Sequence, residues 1–279
     1  MSQISAAAVK NLRDRTNAPM MDCKAALAEA QGDMEKAIDI LRKKNAAIMT
    51  KREGRETAEG RIFVCIDADK KIGAIVELRC ESAPVAKAEQ FIQLGNDIAR
   101  QVAVQSPATV EALLAQPFLG DAKRTISDRI ADVVGLIREN MKVARFARMT
   151  GLLGDYIHHD GTVGVLLQVE GAQADKQMLR DVCMHIAAKS PVAARREDVS
   201  AATLEKEKEI AKAQAAASGK PANIVDKIAE GKMKTWFAEN VLAEQPFVKD
   251  DSKTVAELLK GAGLTIGRFL RYKVGEIAQ

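Results

Sequence analysis

Imidazoles and thiols are scarce in this chain: three His and four Cys among 279 residues. His158 and His159 are adjacent near the end of a predicted strand, and His185 lies in a predicted helix. Neighbouring strand residues point to opposite faces, so the His pair is poorly placed to share one metal ion. A surface contact with a partner, or a hydrogen-bonded and partly buried imidazole, suits it better. Cys23, Cys65, Cys80 and Cys183 contain no C-x-x-C pair. That removes zinc-ribbon and thioredoxin-like chemistry and leaves reduced, mostly buried thiols. The phosphate loop G-x-x-x-x-G-K-[ST], the dinucleotide loop G-x-G-x-x-G, the zinc helix H-E-x-x-H and the nucleophile elbow G-x-S-x-G are all missing. No catalytic residue, metal site or cofactor is expected. The positive reading is a protein that acts by contact and is not an enzyme.

Two places stand out as contact candidates. The first is Thr16-Asn17-Ala18-Pro19-Met20-Met21, a loop in which two adjacent Met cannot both point inward. Either one packs in a core while the other plugs its neighbour, or the pair forms an exposed, adaptable apolar surface. The second emerges from an internal repeat. Gly73-Ala-Ile-Val-Glu-Leu matches Gly164-Val-Leu-Leu-Gln-Val in character, 91 residues on, while Asp97–Pro107 matches Asp181–Pro191 without a gap, 84 residues on. The first copy therefore has seven extra residues between strand and helix, in or near Cys80–Lys87. An insertion at such a junction in one copy only points to function; the competing reading is neutral loop drift.

The elements that must position these residues follow from periodicity. Residues 1–45 read as a three-helix head. Ser5, Asp22 and Asp33 are its expected caps, Gly32 a left-handed stop, and Val9, Leu12, Ala26, Leu27, Ala37, Ile38 and Leu41 its buried stripes. Residues 46–60 read as a polar, partly helical linker. A first core subdomain, 61–140, opens with a hairpin turning at Asp67–Lys71. Helices are expected at about Val85–Val104, Ala108–Ala115 and Asp121–Arg138. A second core subdomain, 141–279, has expected strands at Val143–Met149, Leu152–His158 and Val163–Val169, then a helix at Ala174–Ala188. Within it, about 203–240 reads as a helical-hairpin insertion with helices Thr203–Ser218 and Asn223–Asn240 around Gly219-Lys220-Pro221. Its thin apolar stripe predicts projection from the body. Ser252 is the expected cap of a further helix, and Arg268–Val274 of this sequence alternates as a closing strand.

Composition agrees with a contact protein. Lys and Arg number 42 against 38 Asp and Glu, a net charge of +4 with the two signs dispersed, and only 4% of residues are aromatic. A dedicated polyanion binder would show clustered basic excess, and an RNA binder would add aromatic platforms. An RNA- or ribosome-associated protein is therefore the weaker alternative of another class. The first residues carry charge where a secretory signal needs an apolar run, and Val163–Val169 is too short to span a bilayer. A cytoplasmic protein without membrane contact is expected.

Three blocks then carry a family resemblance. They are Leu12-Arg13-x-x-Thr16 with Met20-Met21-Asp22-Cys23-Lys24-x-Ala26-Leu27 and Glu29-Ala30-x-Gly32-Asp33; Gly219-Lys220-Pro221 with Gly231-Lys232-Met233-Lys234; and Gln245-Pro246-Phe247-Val248-Lys249-Asp250 with Ser252-Lys253-Thr254-Val255. In order and spacing the chain resembles the bacterial elongation factor Ts family, the nucleotide exchange factors of elongation factor Tu. The resemblance implies an α+β fold: a ubiquitin-associated-like three-helix head, two related core subdomains of hairpin sheet plus helices, and a helical-hairpin insertion. It implies elongation factor Tu as partner, no direct nucleic-acid contact, and a head that touches the partner's nucleotide domain through Arg13, Met20, Met21 and Lys24. Self-association through the helical hairpin stays open. One departure matters. The family carries Thr-Asp-Phe-Val at the strand-to-helix junction of the first copy, and its Asp-Phe pair is the wedge beside the partner's magnesium site. Here those positions are Ser82, Ala83, Pro84 and Val85, with neither carboxylate nor ring. The family's end also extends further than Gly275-Glu276 would allow.

Overall fold

The computed structural model describes residues 4–217 and 221–276. It has an α+β architecture whose packing divides it into two compact units. One comprises residues up to Cys65, Ala74–Arg148 and those from Tyr272 on; the other comprises Ile66–Gly73 and Met149–Arg271.

The first unit begins with three helices, α1 (Ala6–Thr16), α2 (Met20–Glu29) and α3 (Met34–Arg52). Ser5 caps α1 by accepting the Ala8 N–H, and Asp33 caps α3 by accepting that of Lys36. Gly32, at φ +89°, supplies the left-handed stop between α2 and α3. Val9, Leu12, Cys23, Ala26, Leu27, Ala37 and Leu41 bury one another. Asp22 is not the cap expected of it. Pro19, with its φ preset, occupies the cap position, so α2 starts two residues before Asp22. Residues 46–52 continue α3, because Ile48 and Met49 pack against the next core. A single helix thus serves two apolar clusters.

That next core lies between a three-stranded sheet and helices. The sheet has order β1 (Glu59–Asp67), β2 (Ile72–Cys80), β5 (Met141–Thr150). Between β2 and β5 come α4 (Ala83–Ala86), α5 (Glu89–Gln105), α6 (Val110–Ala115), β3 (Pro117–Phe118), β4 (Asp121–Thr125) and α7 (Ile126–Ile137). The helix expected over Val85–Val104 is in fact two, because Ala88 is extended and restarts the chain as α5. The helix expected from Asp121 starts only at Ile126. Residues 121–125 pair with β3, Pro117 opposite Thr125, and Thr125 closes a capping box with Asp128. α5 lies close on the sheet because Gly95 has no Cβ: one placed there would stand 2.2 Å from the Phe63 ring.

The second unit contains β6 (Leu152–Ile157), β7 (Val163–Glu170), α8 (Lys176–Lys189), α9 (Ala201–Ala216), α10 (Ala222–Asn240), β8 (Pro246–Phe247), β9 (Asp250–Thr254), α11 (Val255–Gly261) and most of β10 (Thr265–Lys273). Its sheet has order β10-β7-β6. β6 and β7 pair antiparallel from Leu152 opposite Val169 to Ile157 opposite Gly164. α11 is capped by Thr254, in a box with Glu257; Ser252, the expected cap, sits in β9. α9 and α10 pack through Ala211, Ala215 and Ala229. The expected turn at Gly219-Lys220, and Ser218 before it, lie outside the described residues.

Candidate partner-contact site

The strand-to-helix junction of the first copy is an exposed knuckle on anchored flanks. β2 is buried almost throughout and delivers the chain at Cys80. Ala83 and Pro84 then form the first turn of α4 and face solvent, while Val85 is half-buried against the core and Ala86 buried. Pro is suited to a first helical turn, where its missing N–H is no loss. The turn closes on itself through Ala86 N–H to Ser82 O (3.2 Å) and Lys87 N–H to Pro84 O (3.2 Å).

The strand-side flank is tied down from elsewhere in the chain. Ser82 donates its N–H (3.1 Å) and its hydroxyl (2.6 Å) to the two oxygens of Glu139. Glu81 accepts the Asn140 N–H at 2.6 Å and pairs with Arg55 at 3.3 Å and Arg52 at 3.7 Å. Burial opposes the Glu81 charge, but the Asn140 N–H and the two arginines prevail and hold its carboxyl below the usual range. Cys80 is pushed the other way, to about 12, by burial and by the Glu139 charge. Its thiol therefore stays protonated and donates to the Ser82 carbonyl at 3.3 Å.

The head presents a different surface. Met20 and Met21 are 57% and 70% exposed, so neither plugs the bundle. Arg13 and Lys24 are exposed as well. Asp22, next to the Met pair, turns inward: Lys44 Nζ lies 2.7 Å from one oxygen and Arg138 Nη2 2.8 Å from the other. Arg138 therefore reaches the head, while the next two residues reach the knuckle. Asn140, buried, also donates its side-chain amide to the carbonyls of Glu53 (3.1 Å) and Arg55 (2.8 Å), just past α3. Three consecutive residues after α7 thus hold the head, the end of α3 and the knuckle in one frame. None of Arg138, Glu139 and Asn140 stood out in the sequence, where they read as ordinary polar residues after a helix.

His158 and His159 belong to the other unit. They lie just past β6 and not within it, so the opposite-faces argument does not govern them: their rings are 4.3 Å apart between centroids. Tyr156 Oη is 3.1 Å from His158 Nδ1. Among the described residues there is no group of three or more His, Cys, Asp or Glu able to hold a metal ion, and no helix is long and apolar enough to cross a membrane.

Comparison with known proteins is consistent along the chain. The family model described as Elongation factor TS matches residues 81–276. Elongation factor Ts of Thioalkalivibrio sulfidiphilus is 45% identical over 277 residues, covering 98% of this chain and 92% of that one. The protein of the same name from Methylococcus capsulatus is 43% identical over the same length and coverage. That from Trichlorobacter lovleyi is 40% identical over 289 residues, covering 98% and 93%.

Proposed function

The chain belongs to the elongation factor Ts family of translation elongation factors, and we propose that it binds elongation factor Tu in its GDP form and speeds release of the nucleotide. The observation that carries this reading is the exposed Ala83-Pro84 knuckle, whose strand-side flank is tied through Ser82 to Glu139 and through Glu81 to Asn140. Exchange needs no covalent chemistry. A protein that binds the nucleotide-free partner better than the GDP form must, by reciprocity, weaken GDP binding by the same factor. The magnesium ion neutralises phosphate charge in such a nucleotide site, so shifting the segment that bears it loosens the diphosphate. A rigid wedge can do this; a soft loop would yield first. Met20 and Met21 supply adaptable apolar area, and Arg13 and Lys24 supply charge, for the grip that drives the wedge home. The cytoplasm, where translation proceeds, is the compartment this reading requires.

Ala83 and Pro84 also favour a second reading, a Tu-binding chaperone or regulator with weak exchange, since the tip offers neither carboxylate nor ring. The deciding experiment is stopped-flow release of a fluorescent GDP from elongation factor Tu of the same organism, with and without this protein. Acceleration that saturates with protein is expected. Binding without acceleration would select the second reading, and no binding would remove both. Steeply salt-dependent retention of RNA on a filter would revive an RNA-associated role.

A further inference from the structure

We propose that Arg138-Glu139-Asn140 is a positioning element that sets the Met20-Met21 face of the head and the Ala83-Pro84 knuckle in one fixed frame, so that the partner meets them as a single surface. The inference rests on the exchange reading above but adds residues and a division of labour to it. Arg138 closes α7 in the left-handed region, at φ 67°, with its N–H on Val134 O at 2.8 Å. That conformation is unusual for a residue with a Cβ. It turns the chain sharply, so that consecutive side chains diverge. Arg138 takes Asp22 of the head; Glu139 takes both donors of Ser82; the Asn140 N–H takes Glu81 and its amide takes the backbone beyond α3. Several of these bonds join a charged group to a neutral donor, and Arg138–Asp22 joins two charges, the stronger classes of hydrogen bond. They fasten the strand side of the knuckle, Glu81 and Ser82, rather than its tip. The tip itself stays exposed for contact, restrained by the single turn of α4.

A frame of this kind makes a specific prediction about rate against affinity. Releasing the knuckle while leaving the head intact should spoil the wedge more than the grip; releasing the head should do the reverse. In the full chain, Glu139→Ala should lower the GDP release rate at saturating protein by about tenfold, the size of a lost hydrogen bond to a charged group, with the half-saturating concentration little changed. Arg138→Ala should raise the half-saturating concentration by about fivefold and leave the saturating rate near that of the native protein. Glu139→Gln keeps an acceptor for the Ser82 N–H and should restore most of the rate. Ser82→Ala, which removes only the hydroxyl, serves should Glu139→Ala not fold. Hydrogen exchange of the free protein should show the Ser82 and Ala86 amides protected in the native chain and in Glu139→Gln but opened in Glu139→Ala. Equal loss of rate and affinity in both variants, or no loss in either, would overturn the proposal. If the native protein releases no GDP, the exchange reading has failed on its own. The frame is then judged by the amides alone, and unchanged protection in Glu139→Ala would sink it.

Discussion

The two halves of the repeat solve the same packing problem with exchanged parts. In the first, Phe63 on β1 fills the gap left by Gly95 on α5; in the second, Leu179 on α8 fills the gap left by Gly154 on β6, where a Cβ would stand 2.5 Å from that of Leu179. The large and small partners have changed sides between strand and helix. A buried hydrogen-bond relay keeps its places and replaces one member. Gln101 accepts the Leu119 N–H at 3.0 Å and donates to Gln116 at 3.1 Å. His185, at the matching place on α8, accepts the Val248 N–H at Nδ1 (3.2 Å), which leaves Nε2 to donate to Gln245 at 2.8 Å. Both helices end at a left-handed Ser, Ser106 and Ser190, with φ of 48° and 49°. The lesson is that volume and donor–acceptor pattern are held while residue identity drifts. Against that constancy the connection stands out. Eight residues containing α4 link β2 to α5, but five without a helix link β7 to α8. Only the first copy builds a knuckle there, and that is where function is best sought.

The largest effect should come from forcing the second copy's solution onto half of the first. Gly95→Leu drives a side chain into Phe63 and should cost about 3 kcal/mol, and Phe63→Gly alone at least a similar amount for its cavity. The double variant recreates the Gly154–Leu179 arrangement and should recover at least half of the summed loss in urea unfolding. Strict additivity would break the comparison. Next, the knuckle can be pushed toward the family pattern. Ala83→Asp with Pro84→Phe should speed GDP release from elongation factor Tu by roughly tenfold, equivalent to about 1.4 kcal/mol at the barrier. Stopped-flow traces that overlay the native ones would show that these missing side chains do not limit the rate.

Smaller effects test equivalence directly. Thr125→Ala and Thr254→Ala each remove a capping box and should each cost about 1 kcal/mol, measured by the same unfolding assay. Markedly unequal costs would mean that the two caps are not interchangeable. The smallest effect near neutrality is a difference in pH response. Burial lowers the pKa of His185 from its ordinary 6.5. The unfolded chain therefore takes up this proton first, and the stability from the neutral imidazole is complete above pH 6.5 and lost as pH falls below it. Protection of the Val248 amide, taken relative to its intrinsic exchange rate, should fall in that range, while that of the Leu119 amide, held by an uncharged Gln101, should not. His185→Gln should abolish the difference.

Much of this was legible in sequence. Ser5, Gly32 and Asp33 mark the head because caps and stops act over three or four residues. The gapless match of Asp97–Pro107 with Asp181–Pro191 placed a seven-residue surplus between strand and helix; three of the seven fall in the knuckle connection and the others lengthen the end of β2 and the start of α5. A second match has no helical or strand period to mark it: Gln116-Pro117-Phe118 with Asp121 and Thr125 repeats as Gln245-Pro246-Phe247 with Asp250 and Thr254. The helical stripe of Ile126, Ile130 and Val133 drew the helix back to Asp121 and hid it. In space the two segments form matching two-residue pairings, Pro117 with Thr125 and Pro246 with Thr254.

The chain's poverty in imidazole and thiol, its repeat and its family were settled by sequence alone, because composition, periodicity and local capping are properties of neighbouring residues. The frame around the knuckle was decided by tertiary structure. Ser82 meets Glu139 across 57 positions, and Asp22 meets Arg138 across 116. No local rule selects which carboxylate a guanidinium will find at that separation. Only the packing of α3 against α7 brings them within reach.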